Sequence, residues 1–223
     1  MQKKFRKAMF ITFRRYYLDL FLDQNKKLYH GMVIDIGGKK KNKRGSFSPP
    51  KDTTLRWIYL NGNNNADVIA DACILPLMTG CGDVIVACEL FEHLSDPSGA
   101  LKEIARITRP GGKIVFSMPF LYAIHADPGD FVRWTKQKIE KEFNQAGFSI
   151  GSILPMGGFF AVVYDMMNMY LLKNPKRHSM PAFIMKKLLH LTRPAIRYLE
   201  HRTAWTMEHF TTGYFVIADK RYY

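Results

Sequence analysis

Cysteines are few in this sequence, and none of them forms a CxxC motif. Cys73, Cys81 and Cys88 are the whole set, and an odd number of cysteines cannot pair completely within one chain. A fully disulfide-bonded framework is therefore excluded for the chain alone, and we expect a reducing, cytoplasmic setting.

A long uninterrupted apolar run is also missing. The basic N-terminus is followed by Arg14 and Arg15, which interrupt the apolar residues there, so we recognise no signal peptide. The apolar stretch at 157–172 contains Asp165 and is short for a membrane span. We therefore expect at most a peripheral contact with a membrane.

The phosphate-binding glycine motifs of nucleotide enzymes are absent. No GxxxxGKS/T segment exists, and the loop after Ile36 holds only Gly37 and Gly38 before a run of bases. Asp35 precedes these glycines, and its carboxylate disfavours a pyrophosphate and attracts a cation or an amino group. We therefore expect the glycines to hold a small ligand. The bases at 39–44 either meet an anionic acceptor or are only solvated.

Acidic residues are scarce in both flanks of the chain. The net charge is +14, of which residues 1–51 carry +11 and residues 151–223 carry +6, while residues 52–150 carry −3. Because the excess is confined to the flanks, it favours contact with phosphates or anionic lipid, although solubility alone would also explain it.

Short apolar runs alternate with helical patterns along the chain. The expected strands are residues 32–36, 56–60, 67–70, 83–90, 113–119, 148–154 and 213–219, and the expected helices are 3–25, 96–108 and 135–148. This order predicts an α/β fold with a Rossmann-like, doubly wound, mostly parallel seven-stranded sheet. The expected parts are an N-terminal basic helix (1–30), a core (31–155), a helical insertion (156–211) and the final strand (212–223).

Polar residues follow the predicted strands at their carboxyl ends. Asp35 and the glycines follow the first strand, Asn61 the second, Asp71 the third and Glu89 the fourth. Parallel sheets bind ligands at this edge, where the strand order reverses. The pattern therefore predicts a small-molecule site.

The order of these segments resembles that of the class I S-adenosylmethionine-dependent methyltransferases. The resemblance rests on VIDIGG (33–38), NADVIADACILPL (65–77), DVIVACELFEHLSDP (83–97) and ALKEIARITRPGGKIVFSMPF (100–120). It implies S-adenosylmethionine as the cofactor and methyl transfer as the reaction.

The resemblance also implies a role for each strand-end residue. It assigns Asp35, Gly37 and Gly38 to the methionine part of the cofactor, Asn61 to the ribose, Asp71 with Ala72 to the adenine, and Glu89 as a further cofactor contact and candidate catalytic residue. The family has an acid where this chain has Asn61, and often a third glycine where this chain continues with Lys39. The ribose is then held by an uncharged amide.

Carboxylates and imidazoles cluster after the fourth strand. Glu89, Glu92 and His93, with His125 downstream, resemble the metal site of small-RNA 2′-O-methyltransferases and of some quinone-biosynthesis O-methyltransferases. The Glu-His pair also occurs in the wider family without metal. We predict that Glu89, Glu92 and His93 do not form an obligatory metal site.

The segment at 119–135 resembles methyltransferases encoded with polysaccharide-assembly genes. That resemblance places His125 over the reacting methyl group, where an imidazole with an ordinary pKa suits a general base. Asp130 and Arg133 are expected to form an ion pair that holds the loop together.

The insertion carries an amphipathic pattern. Ile184, Leu188, Leu191, Ala195 and Leu199 share one helical face, and Lys186, His190, Arg193 and Arg197 share the opposite one. Pro194 predicts a kink or a restart of the helix. The pattern suits an anionic membrane surface, or alternatively a helical cap with a solvated basic face.

Three functions stay open on this evidence. The first is O-methylation of a sugar hydroxyl on a glycan or lipid-linked precursor, at the inner membrane surface. The second is ribose methylation of RNA, which the net charge and the Glu/His cluster favour, although no RNA-binding module is recognised. The third is a non-enzymatic relative that binds the cofactor poorly.

Overall fold

The computed structural model describes residues 12–40, 45–52, 54–62, 66–125 and 129–222. The first part of the predicted N-terminal helix and the bases at 41–44 lie outside these residues. The chain divides into two compact units. The helical unit contains the chain up to Leu18 with Phe120–Ile124 and Pro155–Gly213, and the sheet unit contains Asp19–Pro119, His125–Leu154 and the chain from Tyr214.

A seven-stranded sheet is the centre of the fold. Its strands are β1 (Met32–Ile36), β2 (Arg56–Asn61), β3 (Val68–Ile69), β4 (Gly82–Cys88), β5 (Thr108–Pro119), β6 (Phe148–Pro155) and β7 (Gly213–Lys220). The strand order is β3-β2-β1-β4-β5-β7-β6, and the pairs β1–β2, β2–β3, β1–β4 and β4–β5 are parallel. The predicted mostly parallel, doubly wound sheet is confirmed. The order reverses between β1 and β4, which is where such sheets bind ligands.

Three α-helices of the described residues lie outside the insertion, and a side chain accepts a hydrogen bond at the start of each. They are α1 (Phe13–Gln24), α2 (Pro97–Ile107) and α3 (Lys136–Gln145). At α2, the Asp96 carboxylate accepts a hydrogen bond from the Gly99 N–H at 2.8 Å, and Pro97 occupies the first turn. These features match the predicted start of this helix, because a side-chain acceptor satisfies an N–H group that the helix itself cannot.

Aromatic packing fixes the short turn after β4. Phe91 is fully buried and meets Phe116 of β5 edge-on, with 5.0 Å between ring centroids, and Trp134 at 5.7 Å. The 3₁₀ turn Phe91–His93 is therefore anchored by its first residue. Glu92 and His93 are held in place by this anchor.

The predicted helical insertion is confirmed as helical. It contains α4 (Phe159–Lys173), α5 (Met180–Leu191) and α6 (Arg193–Arg202). The predicted restart at Pro194 is also present, since α5 ends at Leu191 and α6 begins two residues later with Pro194 in its first turn. Within the described residues, no helix combines the length and the apolar character that a membrane crossing requires.

Two buried carboxylates bind helix starts within the helical unit. Asp165 accepts hydrogen bonds from the backbone N–H groups of Phe13 and Arg14, at 2.7 and 3.0 Å. Glu200 accepts from the N–H groups of Gly158 and, at 3.0 Å, Ala161. Both helix N-termini thereby gain a negative charge and a partner for their first N–H groups. Asp165, the acid within the apolar stretch at 157–172, therefore caps α1.

The amphipathic pattern of the insertion is arranged differently from the prediction. Leu189 and Ile196, which belong to neither predicted face, pack against the buried cluster of Phe13, Ala161 and Tyr164. The residues of the predicted basic face do not form one solvated surface. The Arg193 guanidinium lies 5.5 Å from the Tyr164 ring centroid, and Lys186 donates to the Arg177 backbone carbonyl. The break before α6 ends the continuous face that the sequence suggests.

Candidate active site

The predicted strand-end residues lie along one edge of the sheet unit. Asp35 pairs in register with Tyr59 of β2 and with Val86 of β4, so the carboxyl ends of these three strands reach the same edge. Gly37 and Gly38 follow β1 directly, and Glu89 follows β4. These residues surround the point where the strand order reverses.

The glycine pair is required by the local geometry. Gly37 has a φ of +84°, and a Cβ at this position would lie 3.2 Å from Leu90 Cδ1. A Cβ on Gly38 would collide with the carboxylate of Asp35. Glycine therefore fits both positions without strain, and it allows the Asp35 carboxylate and Leu90 to pack closely against the backbone of this turn.

Asp35 is held by an aromatic residue that sequence reasoning missed. The Trp57 indole N–H donates to Asp35 Oδ2 at 3.2 Å. Burial, and next the charge of Asp35, raise the pKa of Tyr59 to about 12. The alternation in RWIYL places Trp57 and Tyr59 on one face of β2 and could have revealed the contact.

Asn61 supports the glycine turn. Its side-chain amide donates to the carbonyl oxygens of Gly37 and Gly38, at 3.0 and 3.1 Å. The predicted ribose contact from Asn61 therefore has to come from the amide oxygen, since both N–H donors are in use.

Asp71 lies in a turn after β3. Its side chain is exposed, and Oδ1 accepts a hydrogen bond from the Cys73 N–H at 2.8 Å. Ala72 beside it is buried. The bond at Oδ1 orients the carboxylate within an exposed turn, as an Asx turn does.

One of the bases after the glycines forms an ion pair within the protein. Lys40 forms an ion pair with Asp67, which helps to lower the pKa of that carboxyl. Residues 41–44 lie outside the described residues. The predicted role of this segment towards an anionic acceptor stays a prediction.

Glu89 adopts an unusual backbone conformation. Its φ is +55°, and no other described residue apart from glycines has a positive φ. Its side chain accepts from the Ser117 hydroxyl at 3.0 Å, and its backbone N–H donates to the Ser117 carbonyl at the same distance. A positive φ in a residue with a Cβ is strained and is often found at functional sites.

The structure brings Glu92, His93 and His125 together. The fully buried Glu92 carboxylate lies 3.6 Å from His93 Nε2 and 3.8 Å from His125 Nε2. His93 Nδ1 lies 2.5 Å from the Gly129 carbonyl, so this nitrogen carries a proton and Nε2 is directed to the carboxylate. We call these three residues the Glu-His-His cluster.

The cluster differs from the predicted one. His125 takes the place of Glu89, whose carboxylate binds Ser117. One ligand atom from each of the three residues can be chosen so that all lie within 4.8 Å of one another, a set that could hold a divalent metal ion. The same three groups can also pass or share a proton.

The loop that carries His125 is held by the predicted ion pair, which is confirmed. Arg133 binds Asp130 through two nitrogens, and the His125 backbone N–H donates to Asp130 Oδ2 at 2.8 Å. Burial raises the pKa of Asp130, but these hydrogen bonds and charges outweigh it and lower the pKa to about 2. Asp130 thus stays anionic and fixes the loop.

A comparison of the sequence with models of protein families gives a match in the middle of this sheet unit. A sequence model described as a methyltransferase domain matches residues 52–116, from the segment before β2 into β5. No curated protein matches the chain.

Solved structures share the fold over most of the chain. A methyltransferase dependent on S-adenosylmethionine from Archaeoglobus fulgidus is 15% identical with a TM-score of 0.55, and the match covers 92% of this chain and 94% of that one. Phosphoethanolamine N-methyltransferase 2 of Haemonchus contortus, solved with phosphomonomethylethanolamine and S-adenosylhomocysteine, is 14% identical with a TM-score of 0.57, covering 92% and 53%.

The cyclase SpnF also shares the fold, at 16% identity and a TM-score of 0.59, with 92% of this chain and 80% of that one covered. At these identities the structural likeness shows the fold alone.

Proposed function

We propose that this chain methylates a hydroxyl of a sugar in a glycan or lipid-linked precursor. Its methyltransferase domain and its fold make it a class I S-adenosylmethionine-dependent methyltransferase. The observation that carries the proposal is the Glu-His-His cluster at the ligand-binding edge of the sheet unit. A hydroxyl acceptor has to lose a proton during methyl transfer, and imidazole next to a buried carboxylate suits that task. A neutral amine acceptor would need no such group.

The residues present fit the cofactor. When bound, S-adenosylmethionine supplies a methyl group on a positively charged sulfur. We propose that the backbone of Gly37 and Gly38 and the carboxylate of Asp35 hold its methionine part, since they lie at the carboxyl end of β1, where the strand order reverses. Asn61 would contact the ribose, Asp71 and Ala72 the adenine, and Glu89 the cofactor from the end of β4.

Each residue then has a separate task in the transfer. His125 would take the proton of the acceptor hydroxyl, so that the oxygen can receive the methyl group that S-adenosylmethionine would supply. Glu92 stabilises the imidazolium that forms. Asp130 and Arg133 keep His125 in position. Catalysis otherwise consists of holding the acceptor in line with the methyl group.

The acceptor class is tested by a transfer assay with S-adenosylmethionine carrying a tritiated methyl group. We expect label in glycans or lipid-linked sugars with free hydroxyls, and none in transfer RNA or in unmodified oligoribonucleotides. Label that appears in RNA at the ribose 2′-oxygen, with none in sugars, would reverse the assignment in favour of the alternative, which the cluster and the net charge of +14 support.

Replacement of Asp71 by alanine is expected to weaken binding of S-adenosylhomocysteine by roughly 1–3 kcal/mol, because the adenine amino group would lose a carboxylate partner. Isothermal titration calorimetry measures the change. Asp52→Ala is the matched control. Asp52 also accepts from a backbone N–H in an exposed turn, that of Thr54 at 2.9 Å, but this turn precedes β2 and lies away from the carboxyl edge of the sheet. Equal affinity in the Asp71 variant and wild type would refute the adenine contact.

Methyl transfer is expected to continue after exhaustive chelation, because an imidazole acting as a general base can accept the hydroxyl proton without a metal ion. The assay compares enzyme dialysed against EDTA with the same enzyme supplied with magnesium, manganese or zinc. Activity that disappears with the chelator and returns with one metal would show that the cluster is a metal centre.

A peripheral membrane contact and a position on the inner membrane surface belong to the same proposal. A lipid-linked acceptor would be presented at that surface. The exposed apolar residues of the insertion and its excess of basic residues support such a contact.

A further inference from the structure

The corner between α4 and α5 combines bases with exposed apolar side chains. Lys173 is the last residue of α4, and Lys176 and Arg177 lie in the turn that follows; all three are exposed. The Lys173 ammonium donates to the Ile124 carbonyl and Lys186 donates to the Arg177 carbonyl at 3.3 Å, which orders the turn from both sides. The backbone of the turn is therefore tied to α5, and Lys173 is tied to the backbone at Ile124.

Carboxylates that could neutralise these bases are scarce in the described part of the helical unit. Asp165 and Glu200 are buried and bind helix starts. Glu208 is exposed, but it lies in the 3₁₀ turn Ala204–Glu208, beyond the end of α6. The corner thus presents a positive surface to solvent.

An apolar surface adjoins this positive turn. α5 exposes Met180 (70%), Phe183 (54%), Ile184 (49%), Leu188 (57%) and Leu191 (66%), spaced so that they lie along one side of the helix. A groove of about 460 Å³ lies on the α4 side of the turn and is lined by Ala123, Met166, Met169, Tyr170 and Lys173. So many exposed apolar side chains next to one another usually mark a contact surface.

We propose that this corner binds an anionic phospholipid bilayer. The turn with Lys173, Lys176 and Arg177 contacts the phosphate head groups. The exposed side of α5 enters the interfacial region, and the groove receives part of an acyl chain. The complementary charge selects lipid over an uncharged protein partner, since juxtamembrane bases each gain about 1 kcal/mol at an anionic leaflet. The proposal deepens the proposed function, because it names the lipid and the residues of the membrane contact.

The test is co-sedimentation of the full chain with phosphatidylcholine vesicles with and without phosphatidylglycerol. Wild type is expected to bind the anionic vesicles and to be released by high salt. Lys176→Glu/Arg177→Glu is expected to lower the partition coefficient about 30-fold or more, from roughly 1 kcal/mol per lost base. Lys102→Glu/Lys141→Glu, with the same change in net charge on exposed residues of the sheet unit, is expected to bind like wild type.

A second pair of variants tests the apolar part. Phe183→Ser/Leu188→Ser is expected to bind anionic vesicles more weakly than Ile74→Ser/Met78→Ser, whose side chains are also exposed. All four are at the surface, and circular dichroism checks that each variant is folded. Equal binding by the two pairs would overturn the role of α5.

Two further results of the vesicle assay would overturn the proposed contact with an anionic bilayer. Absence of binding by wild type at low salt, or retention of RNA instead of vesicles through the same bases, would overturn the lipid proposal. Vesicle binding is measured without acceptor or cofactor, whereas the acceptor assay follows the labelled methyl group and can be run without vesicles on glycans that carry no lipid. A failure of the lipid contact and a failure of the proposed methyl acceptor are therefore separate results.

Discussion

Replacement of His125 by alanine is expected to lower kcat for methylation of a sugar hydroxyl by about 10²–10⁴-fold, the range that a positioned general base contributes. The affinity for S-adenosylhomocysteine should stay unchanged, because the cofactor contacts proposed above come from other strand ends. The fall in kcat is expected because His125 is positioned as a base. Its Nε2 lies 3.8 Å from the buried Glu92 carboxylate, at the carboxyl edge of the sheet.

Chemical rescue distinguishes this role from a structural one. Added imidazole is expected to restore part of the activity of His125→Ala, since a free base can occupy the space that the side chain leaves. His30→Ala is the control, because His30 is exposed just before β1 at the other edge of the sheet. A fall in kcat of less than about tenfold, far below the usual contribution of a general base, would contradict the assignment.

Replacement of Asp35 by alanine is expected to weaken binding of S-adenosylmethionine by about 1.5–3 kcal/mol, the value of a hydrogen bond to a charged group. The loss follows from the position of Asp35 in β1, which lies between β2 and β4, two residues before Gly37. Calorimetry gives the affinity. Asp23→Ala is the control, since Asp23 forms a surface ion pair with Lys26 on the helical turn after α1.

Trp57→Phe supplies an intermediate step in the same series. It removes only the indole N–H that donates to Asp35, and we expect a loss of about 0.5–1.5 kcal/mol from one neutral donor. Affinity that is reduced equally by the Asp23 and Asp35 variants would contradict the cradle, because net charge alone would then explain both.

The strands and the site edge could be predicted because they depend on local patterns and on topology. The apolar run at 32–36 becomes β1 without change, and the run at 113–119 becomes the second part of β5, which begins earlier, at Thr108. Once parallel strands are recognised, their carboxyl ends have to share an edge, so Asp35, Asn61 and Glu89 are placed without any side-chain detail.

The side-chain pairings could not be predicted, because they depend on contacts between distant parts of the chain. His125 reaches Glu92 only through the path of the loop after β5. Asp165 looked like an interruption of an apolar segment, yet it binds N–H groups at the start of α1, 151 and 152 residues away. Glu89 was assigned to the Glu/His cluster by spacing, while Ser117 of the neighbouring strand binds its carboxylate.

Calorimetric titration of the full chain with S-adenosylhomocysteine tests the central claim most directly, because cofactor binding at the glycine turn is required by every step proposed here. We expect saturable binding at one site, weakened in the Asp35→Ala and Asp71→Ala variants and unchanged in the Asp23→Ala and Asp52→Ala controls. A folded wild-type chain that shows no binding heat at any ligand concentration, or that binds equally well in all four variants, would contradict the account.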